Sequence, residues 1–436
     1  MSRREAVEVA RTLIGAGHQA VFAGGCVRDR LLGVPGADMD IATSASAKEV
    51  MALFPHTVAV GEAFGVVKVV GRDATYDVAS FRTDIGVADG RRPASVVPST
   101  LEEDVQRRDF TINGLVEDPD TGEVRDLVGG QADLRDGVIR AIGEASLRFR
   151  EDGLRLLRGV RFAARLGFEI ESGTREAMIT EAARIDGISG ERVREELLRM
   201  LTHPSRRRAI ELLDETTLLA RILPEITAMH GVEQPPEFHP EGDVWIHTLL
   251  ALDGLPDDAS PELALGTLLH DVGKPPTFCR APDRIRFDGH VELGAEMAEA
   301  ICARLRLSRA GTKRVVALAR DHLIFKDVPN MRPARLRRLM AEEHFDELML
   351  LYRADCGACH GLLTALPAIE SMREQLAEEA LIPPPLLAGK DVLAEGVTPG
   401  PRVGELLREV ADLQLEGELS DRDGALAWLR ERIATG

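Results

Sequence analysis

Asp38 and Asp40 stand two residues apart in DMDIA (38–42), a segment that reads as a short strand. On a strand that spacing puts both carboxylates on one face. Two like charges so close repel unless a cation compensates. Asp77, in YDVASF, lies on another predicted strand and offers a third carboxylate. Upstream, Gly24-Gly25 separates the apolar run AVFA (20–23) from the helical VRDRLLG. Glycines there let backbone N–H groups approach a phosphate, and Arg28 adds a fork of donors. A lone D-x-D after Pro35-Gly36 would be a solvated turn, and a lone glycine pair a simple turn. In this order they suit two-metal phosphoryl or nucleotidyl transfer. One divalent ion activates an attacking hydroxyl; the other holds a triphosphate and its leaving group.

Two further segments extend the set. RRDFTING (107–114) brings Arg107 and Arg108. In REDGLRLLRGVRFAARLGF (150–168), Asp152 and Arg155 are expected one helical turn apart on one side, with Arg158 and Arg161 following. A carboxylate beside a guanidinium presents acceptors and donors as a Watson–Crick edge does. Taken alone, EDxxR is an ordinary ion-pair ridge.

Histidines cluster later. His247 comes first, then HDVGK (270–274), His290, Asp321-His322, and Asp355 in RADCGACH. His with Asp suits a hydrolytic metal site. Each His alone is a satisfied core or surface residue; the ordered set is not. Gly273-Lys274 fails as a P-loop, because Pro275 replaces the needed Ser or Thr. GAGHQA (15–20) precedes its strand and so fails as a dinucleotide fingerprint. CGACH (356–360) matches haem attachment in spacing, but two thiols and a His on an ordinary helix explain it.

The elements that position these residues fall into four segments. Residues 1–140 alternate strands and helices, including a Ser/Thr-capped helix at 43–54; residues 83–100, rich in Gly, Pro and Arg, read as a mobile loop. Helical periodicity takes over at 141–235 and continues through 236–378, and 379–436 is a short tail after LIPPPLLAGK. The chain is 436 residues, 44% apolar and 29% charged, so it is a folded multidomain protein. Aromatics at 4% argue against a base-stacking platform. No apolar run is long enough for a membrane span, and MSRREAVEVARTLIGAGHQ has no signal-peptide core. Five scattered cysteines read as reduced thiols, so a cytoplasmic location is expected.

Gly24-Gly25-x-Val27-Arg28-Asp29, Asp38-x-Asp40, Arg107-Arg108-Asp109, Glu151-Asp152-x-x-Arg155 and Glu191-Arg192-x-x-x-Glu195 stand in the order of bacterial class II tRNA nucleotidyltransferases and poly(A) polymerases. The resemblance covers the whole chain. It implies an α+β multidomain fold: a polymerase-β-like nucleotidyltransferase α/β head, then an all-helical neck, HD body and tail. It implies that Asp38 and Asp40 bind Mg²⁺, with Asp77 as a shorter substitute for the usual Glu. Gly24, Gly25, Arg28, Arg107 and Arg108 would hold the triphosphate. Asp152 and Arg155, with Arg158 and Arg161 beside them, would select CTP or ATP. Gly153 departs from the family, which often has Pro there. The histidine set resembles the HD phosphohydrolase superfamily. By that resemblance His247, His270, Asp271 and Asp355 hold one divalent metal of unstated identity, and His290 and His322 extend towards a second.

The implied activity is addition or repair of the tRNA 3′-terminal CCA, with an added HD-type phosphohydrolase. A full-length 83–100 segment speaks against CC-only addition. A-only addition, poly(A) polymerisation, and an HD hydrolase with a nucleotide-binding head stay open as alternatives, as does the oligomeric state. The formal charge of −18 argues against indiscriminate nucleic-acid binding. Locally, residues 140–165 carry seven arginines against three acids, and 312–338 carry eight basic residues against two. These stretches are expected to line a tRNA path.

Overall fold

The computed structural model describes residues 3–34, 39–59, 65–87, 93–376 and 380–435. Asp38, and with it Arg91 and Arg92 of the segment read as a loop, lie outside the described residues. The chain divides into two compact units, residues 1–228 with 301–307, and residues 229–300 with 308–436.

The first unit is built on a seven-stranded sheet. Its strands are β1 (Ala20–Ala23), β2 (Asp40–Thr43), β3 (Thr57–Ala59), β4 (Val66–Val70) and β5 (Thr75–Ser80). After the hairpin strands β6 (Arg82–Val87) and β7 (Pro93–Pro98) come β8 (Val116–Glu117) and β9 (Val124–Arg125). The sheet order is β3-β4-β5-β2-β1-β8-β9. Within this sheet, among the described residues, only β2 and β5 pair in parallel, with Asp40 opposite Asp77, Ile41 opposite Val78 and Ala42 opposite Ala79. Alternation sorts the side chains. Ile41, Val67, Val69, Tyr76 and Val78 are buried. The intervening Asp40, Asp77 and Lys68 share the other face, in one row, since Lys68 pairs with Asp77. Helix Arg3–Gly15 buries Ala6, Val9, Ala10 and Leu13, an amphipathic stripe. The expected capped helix forms as Ala47–Leu53, with Ser46 and Glu49 in a capping box.

Residues 83–100 differ from expectation. β6 and β7 pair antiparallel, from Arg82 opposite Pro98 to Val87 opposite Pro93. β-branched residues inside the segment favour strands, while both prolines sit at strand ends, where ladder donors are dispensable. Gly and Arg content hid that pattern.

The expected helix over 150–168 also differs. Helix Ala145–Glu151 ends at Asp152, which is extended at φ −148°, and a second helix runs Leu154–Leu166. A Cβ on Gly153 would stand 2.8 Å from the Arg184 carbonyl oxygen. That close approach, and Asp152 Oδ1 accepting the Leu154 N–H at 3.0 Å, set the break.

The all-helical expectation holds only in the main: in the neck segment Glu169–Ile170 pairs in parallel with Val138–Ile139, and the second unit is mostly helical with one strand pair, Cys279–Arg280 against Ile285–Arg286. Helices Val244–Asp253, Pro261–Leu269, Arg309–Asp321 and Phe345–Ala358 pack against one another. Beyond them, Leu387, Val392, Leu406, Val410, Ala425 and Leu429 form a small separate core for the tail. No helix among the described residues is long and apolar enough to cross a membrane.

Candidate functional site

In the first unit, the carboxyl end of β1 leads into a glycine turn. Gly24 has φ +79°, which a side chain would strain, and its N–H is fixed by the Leu115 carbonyl at 3.1 Å. A Cβ there would also meet Arg108 Nη1 at 3.1 Å. Helix Gly25–Leu31 follows and carries Arg28, buried and bonded to Asp29 and to Asn113 Oδ1 at 2.6 Å. The row of Asp40 and Asp77 lies along the same cleft. Lys68 Nζ donates to Asp77 Oδ1 at 2.5 Å, a cation already set against this carboxylate pair.

Helix Leu101–Gln106 is capped by Thr100 with Glu103. Its buried Asp104 gathers Arg107 and Arg108, at 2.5 and 2.9 Å, at the cleft wall. Arg107 also donates to the Arg82 carbonyl at 2.7 Å. Opposite, Asp152 Oδ2 pairs with Arg192 at 3.0 Å. Arg155 is fixed by Glu151 at 2.7 Å and by the carbonyls of Arg148 and Arg107 at 3.0 and 2.8 Å. Asp152, in the break, and Arg155, on the second helix, therefore border the cleft from successive segments rather than from one face of one helix. Arg158 pairs with buried Asp109 at 2.6 Å. Burial alone would raise the Asp109 carboxyl, but the Arg158 guanidinium and the Asn113 amide outweigh it and hold the carboxyl at about 2.

These groups line one cleft of 1330 Å³: Gly24, Gly25, Arg28, Asp40, Asp77, Arg107, Arg108, Asp152, Arg155 and Arg158 all border it. Arg161 does not. It lies against the Phe162 ring and pairs with buried Glu196 at 2.6 Å. Sequence reasoning passed over Asp109, Asn113 and Phe162, which tie the arginines together. All three stood in the quoted motifs, but their role needs tertiary contacts to see.

In the second unit, His247, His270, Asp271, His290, His322 and Asp355 converge as expected. Nε2 of His247 lies 3.3 Å from Nε2 of His270 and 3.0 Å from Asp355 Oδ1. His270 Nε2 is 3.2 Å from Asp271 Oδ2, and the Nε2 atoms of His290 and His322 are 3.8 and 3.6 Å from Asp271 Oδ1. Each ring is oriented from behind. Nδ1 of His270, His290 and His322 meets the carbonyls of Thr267, Phe287 and Ala319 at 2.7, 2.8 and 2.7 Å. Nδ1 of His247 meets Glu241 Oε1 at 2.7 Å, and His239 shares that oxygen at 2.9 Å. Such partners fix Nδ1 as the donor and leave Nε2 a lone pair for a metal.

The donor set fits a divalent cation. Asp271 Oδ1, His290 Nε2 and His322 Nε2 are buried with no hydrogen-bond partner, the pattern of atoms that await an ion. Burial disfavours charge on His247, but its bonds to Asp355 and Glu241 prevail and raise it to about 9, so its Nε2 carries a proton that a bound cation would have to displace. His322, with burial dominant, falls to about 3 and stays neutral, as a ligand must. Lys274 Nζ reaches Asp271 Oδ2 at 2.6 Å and Gln234 at 2.7 Å. Glu241 and His239 went unnoticed in the sequence, although HPEGD places them just before His247. Burial pushes the thiols of Cys356 and Cys359 up to about 12 and 11, in keeping with inert cysteines.

Known families match segments of both units. Residues 20–140 match the poly A polymerase head domain, 167–229 the probable RNA and SrmB-binding site of polymerase A, and 243–356 the HD domain. The A-adding tRNA nucleotidyltransferase of Deinococcus radiodurans is 36% identical over 94% of this chain and 95% of its own length. The CCA-adding enzyme of Geobacillus thermodenitrificans is 46% identical over 49% of this chain and 53% of its own. The crystal structure of the Bacillus stearothermophilus CCA-adding enzyme in complex with CTP superposes with a TM-score of 0.76 at 31% identity, covering 99% of this chain and 98% of that one. The chain belongs to the tRNA nucleotidyltransferase family, with a poly(A)-polymerase-type head and an HD domain.

Proposed function

We propose that the first unit adds nucleotides to the 3′ end of tRNA from CTP and ATP without a template, completing or repairing CCA. The observation that carries this is the single 1330 Å³ cleft shared by a glycine cradle, a carboxylate row and the Asp152–Arg155 pair. The tRNA 3′-hydroxyl attacks the α-phosphate, and pyrophosphate leaves. Asp38 and Asp40 would hold Mg²⁺, which when bound lowers the pKa of the hydroxyl and offsets triphosphate charge, and Asp77, opposite Asp40, offers a third carboxylate beside them. The chain's own groups do the rest. The Gly24–Gly25 backbone admits the triphosphate closely, and Arg28 and Arg108 neutralise it. Asp152 and Arg155, pinned by neighbouring carbonyls and carboxylates, hold a fixed edge for the base.

A second reading is A-only addition. It is favoured by the A-adding Deinococcus relative, which matches over nearly the whole chain. One assay separates the readings. Purified protein with Mg²⁺ receives tRNAs ending before CCA, after C and after CC, with CTP and ATP offered separately. Incorporation of C into the first substrate selects CCA addition; A alone onto CC-ended tRNA selects the second reading. Long A tails on unrelated RNA would indicate poly(A) polymerase instead. Asp40→Ala should abolish incorporation, and survival of activity would overturn the cleft assignment.

For the second unit we propose metal-dependent hydrolysis of a phosphoester, such as a 2′,3′-cyclic phosphate or a damaged tRNA end. His247, His270, Asp271 and Asp355 would hold one ion, and His290 and His322 would reach towards a second. Paired His270→Ala and Asp271→Ala variants should lose bound metal and phosphate release together. Full release without metal would refute this.

A further inference from the structure

Arg28 and Arg158 border the cleft from different elements, one on the helix after the glycine turn, the other on Leu154–Leu166. A continuous chain of hydrogen bonds joins them. Arg28 Nη1 donates to Asn113 Oδ1 at 2.6 Å. Asn113 Nδ2 donates to Asp109 Oδ1 at 3.0 Å. Asp109 Oδ2 accepts from Arg158 Nε at 2.8 Å. Arg28, Asn113 and Asp109 are 4%, 6% and 8% exposed, so water competes little for these bonds. Both guanidinium groups also lie against one ring, Phe162, at 5.0 and 5.3 Å from its centroid. Only one order of groups satisfies the chain. A guanidinium donates, a carboxylate accepts, and an amide between them must do both. Asn113 supplies that amide, and its main-chain carbonyl accepts from Arg108 Nη1 at 3.4 Å as well. Two cleft arginines, Arg28 and Arg108, thus bond to Asn113 directly, and a third, Arg158, reaches it through Asp109.

We infer that Asn113 is a positioning residue that couples triphosphate binding at Arg28 and Arg108, through Arg158, to base selection by Arg155 on the same helix. The inference rests on the nucleotide reading of the cleft given above. An anion drawing on Arg28 displaces the amide, the amide carries Asp109, and Asp109 carries Arg158. By linkage the effect runs equally in reverse: a matching base tightens the hold on the triphosphate. Base choice is then felt where pyrophosphate must leave, not only at the base itself.

Two separate probes test this in the full chain. Calorimetry measures cytidine binding with and without saturating inorganic tripolyphosphate, and tripolyphosphate binding with and without cytidine. In the wild type each probe should raise the affinity of the other by the same factor, about tenfold. In Asn113→Leu, similar in volume but without polar atoms, the factor should fall to near one. Asn113→Ser gives a second variant should Asn113→Leu lose its cooperative melt. Both variants should also discriminate CTP from UTP less well in kcat/KM. An equal loss for every nucleotide, with the binding factor intact, would mark Asn113 as merely structural and overturn the inference. If both probes bind the wild type independently, the coupling fails while the nucleotide reading stands. If neither binds, the nucleotide reading itself fails.

Discussion

One oxygen of Glu241 takes the Nδ1 protons of His239 and His247, and its other oxygen is buried without a hydrogen-bond partner. Glu241→Gln keeps the shape but weakens acceptance of two protons. Metal affinity should fall about tenfold, read as metal retained after dialysis against a chelator. Asp109 gives a pH prediction. Its folded pKa, about 2, lies below the ordinary value of 3.8, so its contribution is fully present above pH 4. That contribution, of about 2 kcal/mol, is lost as pH falls from about 4 towards 2. Asp109→Asn should lose this component from acid-unfolding curves and also destabilise the chain at pH 7, because Arg158 keeps its charge without its partner. The chemistry-bearing residues were legible because their types and order are distinctive. Asp109 and Asn113 were visible only as motif letters, since their work is done through partners 49 and 85 positions away.

At the scale of elements, position comes from pairing that no local window contains. Asp40 and Asp77 are 37 positions apart, yet the parallel register of β2 and β5 sets them side by side. Helix periodicity was legible, but the break at Asp152 was not, because it depends on the Arg184 backbone pressing on Gly153. The same contact leaves no room for a Cβ at position 153. Gly153→Ala should cost about 1–3 kcal/mol, seen as a lower Tm, through overpacking. It should also shift Asp152 and loosen base discrimination. A normal melt with unchanged discrimination would count against this account. The hairpin β6–β7 was missed because local Gly, Pro and Arg content outweighed strand partners that satisfy each other.

For the molecule as a whole, a formal charge of −18 hides how arginine is spent. In the 140–165 stretch, Arg140, Arg148, Arg150, Arg155, Arg158 and Arg161 are each paired with a carboxylate. In the 312–338 stretch, Arg314, Arg332 and Arg338 are likewise paired with acids, and Arg337 is buried, donating to carbonyls. Much of this basic charge is therefore engaged by the chain's own acids and carbonyls, which counting charges along a sequence does not reveal. Arg335 and Lys313 are exposed. Arg335→Glu should weaken tRNA binding at low salt and reduce the slope of log affinity against log salt by about one. An unchanged slope would place the RNA elsewhere. The histidine centre has a different kind of economy. Three of its imidazoles are aimed by main-chain carbonyls, and those of Thr267, Phe287 and Ala319 survive any change of side chain. A library of every single substitution should thus find ring orientation mutationally buffered at those positions and brittle at Glu241 alone. Under genetic drift, one codon carries most of the risk of misaiming this centre.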